Sequence, residues 1–157
     1  MASTTGTSAV RVRVVRPQDA ARLVPLFEAF YGTSFGEAVS ADSVTRRIRQ
    51  AEGYETVIVA EANGELAGFA SLRVTPSLDS APYAELTELF VEPTSRRLGV
   101  ASKLVRYFEG LARERGAQTL VVLTGRTNTD AQTFYRSVGY DEHAVAMRKT
   151  LRTPDSP

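Results

Sequence analysis

The sequence predicts an α/β protein with a mixed, mostly antiparallel sheet that carries helices on both faces. Three observations predict it: the order of strand-like and helix-like segments, a hairpin signal at Asn63-Gly64, and a strand leading into a helix start at Gly99. With 157 residues, 43% of them hydrophobic, the chain is long enough for one well-buried core and short for two. We therefore expect a single domain over residues 10–151, with flexible tails at 1–9 and 152–157.

The first predicted elements are a strand and a helix. Residues 10–14 alternate apolar and charged side chains, as a half-buried strand does. Pro17 suits the first turn of a helix, and apolar residues then recur at three- and four-residue spacing until Gly32. Residues 33–39 are expected to form a loop.

A second helix and a β-hairpin follow. Ser40 can cap the start of this helix, because its hydroxyl can accept a hydrogen bond from a backbone N–H of the first turn. Two strands, residues 56–60 and 66–72, flank Asn63-Gly64, which is the commonest dipeptide of a tight hairpin turn.

The remaining chain alternates strands and helices. Strand, helix and strand are predicted in turn over residues 83–92, 100–115 and 119–124. The last of these is an unbroken apolar run, which is typical of a buried strand. Asn128 or Thr129 caps the next helix, and closing strands are expected near Asp141 and over residues 144–151.

Composition and charge exclude several classes of function. A net charge of +1 gives no general attraction to nucleic acid or to a membrane surface. With no cysteine and one histidine, disulfides, thiolate nucleophiles and histidine or cysteine metal clusters are excluded. No signal peptide or membrane-length apolar stretch is evident. We expect a soluble cytoplasmic protein with no metal cofactor and no nucleic-acid or membrane partner.

The segment between the strand at 83–92 and the next helix has the features of an anion-binding loop. Two arginines stand beside a glycine at a helix start, where exposed N–H groups can approach a pyrophosphate. A Walker loop is excluded because no Gly-Lys-Ser/Thr is present, and the dinucleotide fingerprint fails because Gly99 stands alone. The predicted loop residues are Arg96, Arg97, Leu98, Gly99, Val100, Ala101 and Ser102.

Three segments resemble motifs of the GNAT N-acetyltransferase family. Residues 96–101, Arg-Arg-Leu-Gly-Val-Ala, fit its Arg/Gln-x-x-Gly-x-Gly/Ala loop. Residues 85–93 are similar to its central strand and following turn, and residues 128–140 to its Asn-x-x-Ala-x-x-Phe-Tyr-x-x-x-Gly-Phe/Tyr helix. The motifs occur in the family's order, and the resemblance covers almost everything after residue 9.

The resemblance implies the GNAT acyl-CoA N-acyltransferase fold, in which the central strands at 83–92 and 119–124 splay apart. The gap between them would hold the thioester arm of acetyl-CoA as cosubstrate. Backbone groups of Leu89, Phe90 and Val91 would pair with the pantetheine amides, much as an added strand pairs with an open sheet edge.

The implied function is acetyl transfer from acetyl-CoA to a primary amine by direct attack. The amine could belong to a small molecule, such as a polyamine or aminoglycoside, or to a peptide or protein. Two alternatives remain open: a non-catalytic acyl-CoA-binding domain that acts as sensor or scaffold, and an enzyme that transfers a longer acyl group. The implied partners are acetyl-CoA and the amine, with a homodimer left open.

Tyr135 is the expected general acid, because it falls at the position of the family's catalytic tyrosine, seven residues after Asn128. Its phenol can donate a proton to the leaving thiolate. The alternative is that a Phe-Tyr pair on a short helix only packs. Asn128 is expected to hydrogen-bond the coenzyme arm as well as to cap its helix.

Glu85 and Glu88 are the candidate bases, since each falls where some branch of the family keeps a catalytic carboxylate. In a regular strand their side chains would point to opposite faces, and a bulge would change that parity. Glu88 is favoured because it lies nearer the splayed end and its spacing from Arg96 matches the polyamine-acetylating branch. The alternative for either residue is a solvated strand glutamate.

The acceptor amine is expected to meet the loop after the first helix and the connection before the central strand. The candidate residues there are Glu28, Tyr31, Phe35, Asp79 and Tyr83. Together with Glu85, the acidic members would favour a cationic amine.

Overall fold

The computed structural model describes residues 9–78 and 80–151. The chain divides into two compact units after Val122, and each is described by itself. The predicted acceptor-site residue Asp79 and the predicted tails, apart from residue 9, lie outside the described residues.

The described residues of the first unit form a five-stranded sheet and three α-helices. Its elements are β1 (Arg11–Val14), α1 (Ala20–Tyr31), α2 (Ala41–Ala51), β2 (Thr56–Ala62), β3 (Glu65–Thr75), β4 (Tyr83–Val91), α3 (Val100–Glu114) and β5 (Thr119–Val122). The sheet order is β1-β2-β3-β4-β5, and only the β4–β5 pair is parallel. The predicted mixed, mostly antiparallel sheet is confirmed.

The turns and caps follow from local sequence. Asn63 and Gly64 have φ of 53° and 80°, the left-handed pair that a two-residue hairpin turn needs between β2 and β3. At the start of α2, the Ser43 N–H donates to Ser40 Oγ at 3.2 Å and the Ser40 N–H donates to Ser43 Oγ at 2.8 Å. The predicted loop at 33–39 begins with one short 3-10 turn, Gly32–Phe35.

Helices cover both faces of the sheet, as predicted. On one face, α1 and α2 bury a cluster that includes Phe27, Val44 and Phe69. α3 lies on the other face. Its Leu104 side chain would be 3.5 Å from a Cβ built at Gly68 of β3. Gly68 and Phe69 are neighbours in β3 and therefore address opposite faces.

Strand β4 is paired with β5 over only part of the length of β4. Their register runs from Tyr83 opposite Thr119 to Leu86 opposite Val122. Residues 87–91 continue β4 beyond the last pair, and no described residue of β5 lies opposite them. The backbone of this half of β4 can therefore accept a ligand as an added strand.

β5 is shorter and less buried than the sequence predicts. It ends at Val122 rather than at residue 124, and its side chains range from exposed to partly buried. The prediction of a buried strand is wrong because, in the described sheet, β5 is one of the two edge strands and no described strand pairs with its outer side.

In the second unit, residues 123–151 are described, and they contain one helix, α4 (Thr129–Ser137). The closing strands predicted near Asp141 and over residues 144–151 are not formed: residues 141–151 have no regular structure and are exposed. A strand needs a partner for its N–H and C=O groups, and no described segment pairs with this one. Within the described part of the chain, no helix combines the length and apolarity needed to cross a membrane.

Candidate active site

A β-bulge at Thr87 decides where the two candidate bases point. In the β3–β4 register, Glu88 lies opposite Ser71 while Leu86 lies opposite Leu72, so Thr87 is an extra residue. Glu85 lies opposite Arg73. Because residues 71 and 73 share a face of β3, Glu85 and Glu88 share the corresponding face of β4. A regular strand would direct the side chains of Glu85 and Glu88 to opposite faces. The bulge changes that parity, so the two side chains lie on one face.

A cavity of about 160 Å³ opens on this face between α1, α2 and strands β2 to β4. Its apolar walls include Phe27, Ile48, Val57 and Phe69. Its polar lining consists of Tyr31, Arg47, Glu55, Ser71 and Glu88. Glu88, the favoured candidate base, thus reaches a partly enclosed cavity with both apolar and charged walls.

The electrostatic surroundings of Glu88 suit a base. Burial raises the pKa of Glu88 above its ordinary value, the negative charge of Glu55 raises it further, and the Tyr31 phenol opposes the rise by donating toward the carboxylate. Among the described residues, no arginine or lysine forms an ion pair with Glu88. Its carboxylate therefore remains able to take up a proton.

Glu85 has a different environment on the same face. Its Oε2 accepts hydrogen bonds from Arg73 Nη2 at 2.7 Å and Nε at 3.0 Å. Glu85 is 9% exposed, and this contact raises the pKa of Arg73. The geometry therefore assigns Glu85 a structural ion pair with Arg73, and Glu85 does not line the cavity.

Glu55 is a site residue that the sequence reasoning missed. Its Oε2 accepts hydrogen bonds from Ser71 Oγ at 2.6 Å and from Thr87 Oγ1 at 3.2 Å. Its Oε1 lies 3.9 Å from Arg73 Nη1. No local motif marks Glu55, because its importance arises from the bulge that brings Thr87 and Glu88 to its side.

Of the predicted acceptor-site residues that are described, Tyr31 lines the cavity. The pKa of its phenol is raised by burial and by the negative charges of Glu88 and Glu55. Phe35 is 5% exposed and packs behind Tyr31, with ring centroids 5.6 Å apart, so it supports the wall instead of lining it. Glu28 is exposed on α1 and Tyr83 begins β4, and neither lines the cavity.

The segment from β4 to α3 has an open, uncapped helix start. Arg97 and Gly99 both adopt left-handed backbone conformations, with φ of 65° and 74°. Gly99 is the N-cap of α3 and supplies no side-chain cap, while residues 96–99 are exposed. A Cβ at Gly99 would meet nothing within 4 Å. The first N–H groups of α3 and two arginines thus border open space, as an anion site requires.

The second unit carries Asn128 and Tyr135. Asn128 caps α4, because its Oδ1 accepts a hydrogen bond from the Ala131 N–H at 3.2 Å. The Tyr135 ring packs edge-on against Phe134 and Tyr140, with centroids 5.3 Å and 5.6 Å away. Burial raises the pKa of Tyr135 to about 12, so its phenol is protonated at neutral pH and can donate.

Comparison with known proteins identifies the family. Residues 21–140 match the model of the acetyltransferase (GNAT) family. The chain belongs to this family. The family, the fold class and the assignment as an acetyltransferase that were predicted from the sequence are thereby confirmed.

Individual relatives agree with this GNAT assignment. The chain is 30% identical to an uncharacterized N-acetyltransferase, YhfO, of Bacillus subtilis (strain 168), over 92% of this chain and 99% of that protein. It is 34% identical to aminoglycoside N(6')-acetyltransferase type 1 of Klebsiella aerogenes, over 62% of this chain and 66% of that one. The solved aminoglycoside N-acetyltransferase AAC(6')-Iy in complex with CoA has a TM-score of 0.80 and 20% identity, covering 97% of this chain and all of that one.

Proposed function

We propose that this GNAT protein transfers the acetyl group of acetyl-CoA to a primary amine by direct attack. The observation that carries the proposal is Glu88, a carboxylate with a raised pKa that lines a cavity beside the half of β4 that has no β5 partner. Family membership supplies the reaction class, and Glu88 supplies a base at the strand where the thioester is expected to bind.

The proposed reaction has three parts. The substrate ammonium loses a proton to Glu88, directly or through one water molecule. The neutral nitrogen then attacks the thioester carbonyl carbon, a C–N bond forms and the C–S bond breaks. The leaving thiolate takes a proton from Tyr135, which is protonated at neutral pH because its pKa is about 12. The acylated nitrogen releases its second proton to solvent as the amide forms. Tyr135 and Glu88 return to their starting protonation states by exchange with solvent, so the net products are the amide, the CoA thiol and one proton. The role of Tyr135 is supported by its place in the Asn128 motif.

Acetyl-CoA is the proposed cosubstrate, held by two features of the first unit. The pyrophosphate would meet the N–H groups of residues 100–102 and the side chains of Arg96 and Arg97. The pantetheine amides would pair with the backbone of residues 89–91, where β4 has no β5 partner. Asn128 is proposed to add a hydrogen bond to the coenzyme arm.

The acceptor is proposed to be a cationic primary amine. Two carboxylates, Glu55 and Glu88, line the cavity with one arginine, Arg47. At about 160 Å³ the cavity suits a narrow aminoalkyl arm better than a whole bulky molecule. The Klebsiella aerogenes relative is named for an amine-bearing acceptor of the aminoglycoside class, which supports this choice. We propose a cytoplasmic location, since acetyl-CoA is available there.

The experiment is a panel of amines with acetyl-CoA, read out as release of free thiol. Linear diamines, aminoglycosides and peptide amines form three arms, and alcohols of matched carbon skeleton form the control arm. We expect amine-dependent thiol release that is absent with alcohols and is lowered by a factor of roughly 10² to 10⁴ in the Glu88→Gln variant. A protein that binds CoA and releases no thiol with any arm would support the sensor or scaffold alternative.

A further inference from the structure

Glu55 is the second carboxylate of the cavity, and the proposed reaction gives it no part in proton transfer. It follows α2 by four residues and immediately precedes β2, and its backbone N–H donates to Ala51 O at 2.8 Å. Its carboxylate reaches across β3 to β4, where it accepts hydrogen bonds from Ser71 and Thr87. Two hydroxyls on two strands therefore hold this charge in place beside the bulge.

We propose that Glu55 is a positioning residue of the acetyl-transfer site, which acts by holding a fixed negative charge against Glu88 and so keeps that carboxylate a strong base. The proposal rests on the proposed function, since it concerns the strength of the base in that reaction. Both carboxylates line the same cavity, and the bulge at Thr87 turns Glu88 toward Glu55.

Among the described charged groups near Glu88, Glu55 is the one whose negative charge acts on it. From α1, Tyr31 donates toward Glu88, and from α2, Arg47 lines the cavity but places a guanidinium nitrogen 2.7 Å from Phe35 O. From β3, Arg73 binds Glu85 at 2.7 Å and lies 3.9 Å from Glu55. Arg73 therefore binds Glu85 more closely than it approaches Glu55.

A nearby negative charge disfavours ionisation of a carboxylic acid, so it makes the ionised form a better proton acceptor. The raised pKa of Glu88, to which the charge of Glu55 contributes after burial, agrees with this geometry. Protonation of Glu88 therefore produces the acid limb of the rate profile.

Glu55→Gln is the decisive variant, because glutamine keeps an acceptor oxygen for Ser71 and Thr87 and removes only the charge. We would label glutamate with carbon-13 at the side-chain carboxyl and follow the Glu88 resonance against pH by NMR, with Glu88→Gln identifying that resonance. The expected result is titration of Glu88 at lower pH in Glu55→Gln than in the parent. Glu114→Gln, an exposed change of equal charge at the end of α3, is the control.

The pH dependence of kcat/KM gives the second readout. In Glu55→Gln the acid limb should move to lower pH and the plateau should fall by less than about tenfold, because the base is weaker but present. If Glu55→Gln fails to fold, Thr87→Val, which removes one hydroxyl that holds Glu55, should move the Glu88 titration in the same direction. An unchanged Glu88 titration in a folded variant overturns the proposal. A shifted titration in a protein that acetylates no amine supports the coupling and refutes the proposed function alone.

Discussion

Glu85 and Glu88 lie on the same face of β4, because Thr87 is bulged out of its register with β3. Their roles nevertheless differ, since Arg73 binds Glu85 whereas Glu88 lines the cavity without an ion-pair partner among the described residues. The bulge therefore brings two carboxylates to one surface, and the arginine distinguishes the structural one from the candidate base.

Replacing each of the two glutamates by glutamine, one at a time, separates their roles. Glu88→Gln should lower kcat/KM by a factor of roughly 10² to 10⁴, the usual contribution of a general base. In the parent, kcat/KM should fall as pH drops through the raised pKa of Glu88, because protonation removes the base. That limb should disappear in Glu88→Gln and remain in Glu85→Gln.

Glu85→Gln should instead reduce stability by on the order of 1 kcal/mol, since Arg73 is half exposed and water compensates part of the lost contact. Urea unfolding measures this difference. A lost pH limb in Glu85→Gln, with a normal limb in Glu88→Gln, would reverse our assignment of the two residues.

Tyr135→Phe tests the general acid, because it removes one hydroxyl and almost no packing volume. We expect CoA affinity to be kept and kcat to fall by roughly 10² to 10⁴. With a pKa of about 12, the parent phenol should add no ionisation to the rate profile below about pH 10. Tyr54→Phe, at a side chain that is 80% exposed, is the control and should change neither quantity. Turnover within a few-fold of the parent would leave Tyr135 a packing residue.

Gly99→Leu tests the phosphate loop. A side chain at Gly99 would occupy the open space beside the uncapped start of α3, so CoA affinity should fall by roughly tenfold to a hundredfold. Because φ is 74°, the same change should cost about 1 kcal/mol of stability. Gly116→Leu is the matched control, since Gly116 has φ of 83° and open surroundings at the other end of α3. Equal calorimetric affinities of the two variants would refute the phosphate loop.

Asp19→Asn tests the ion pair that joins β1 to the start of α1. Asp19 is 1% exposed, and its carboxylate accepts hydrogen bonds from Arg13 at 2.6 Å and 2.9 Å. Hydrogen bonds from Arg13 chiefly lower the pKa of Asp19, so this stability is present above the unfolded-state pKa of about 4 and is lost as pH falls through the folded-state value.

We expect Asp19→Asn to lose about 2 to 4 kcal/mol at pH 7, with the difference from the parent narrowing below about pH 4. Denaturant unfolding at several pH values measures it, with the exposed Asp141→Asn as control. A difference that does not depend on pH would show that the carboxylate charge is not what stabilises the contact.

The sequence predicts most of the fold because its signals are local. Asn63-Gly64 specifies a tight turn and Ser40 caps α2, and both need only neighbouring residues. The closing strands over residues 141–151 were predicted wrongly, since a strand depends on a partner that local pattern does not reveal. β5 was predicted as buried for the same reason, because its apolar run carries no information about what covers it.

The candidate site was predictable only in part. Glu88 is predictable because it falls in the central-strand motif, and Tyr31 because it lies next to the loop after the first helix. Both line the cavity. Glu55 was not found, because it becomes a neighbour of Glu88 only through the bulge at Thr87 and through hydroxyls on two other strands. The register between strands that are far apart in sequence decides which side chains meet. The spacing of residues along the chain does not reveal that register.

The most direct test of the central claim is to measure, in one reaction, the thiol released from acetyl-CoA and the acetylated amine formed. We predict no stoichiometric burst of thiol when acetyl-CoA is added without amine, and equal amounts of thiol and acetylated amine once a cationic primary amine is present. The Glu88→Gln variant should show both signals reduced together. Thiol released without amine, in an amount equal to the protein, would indicate an acyl-enzyme, and thiol release without acetylated amine would contradict acetyl transfer to an amine.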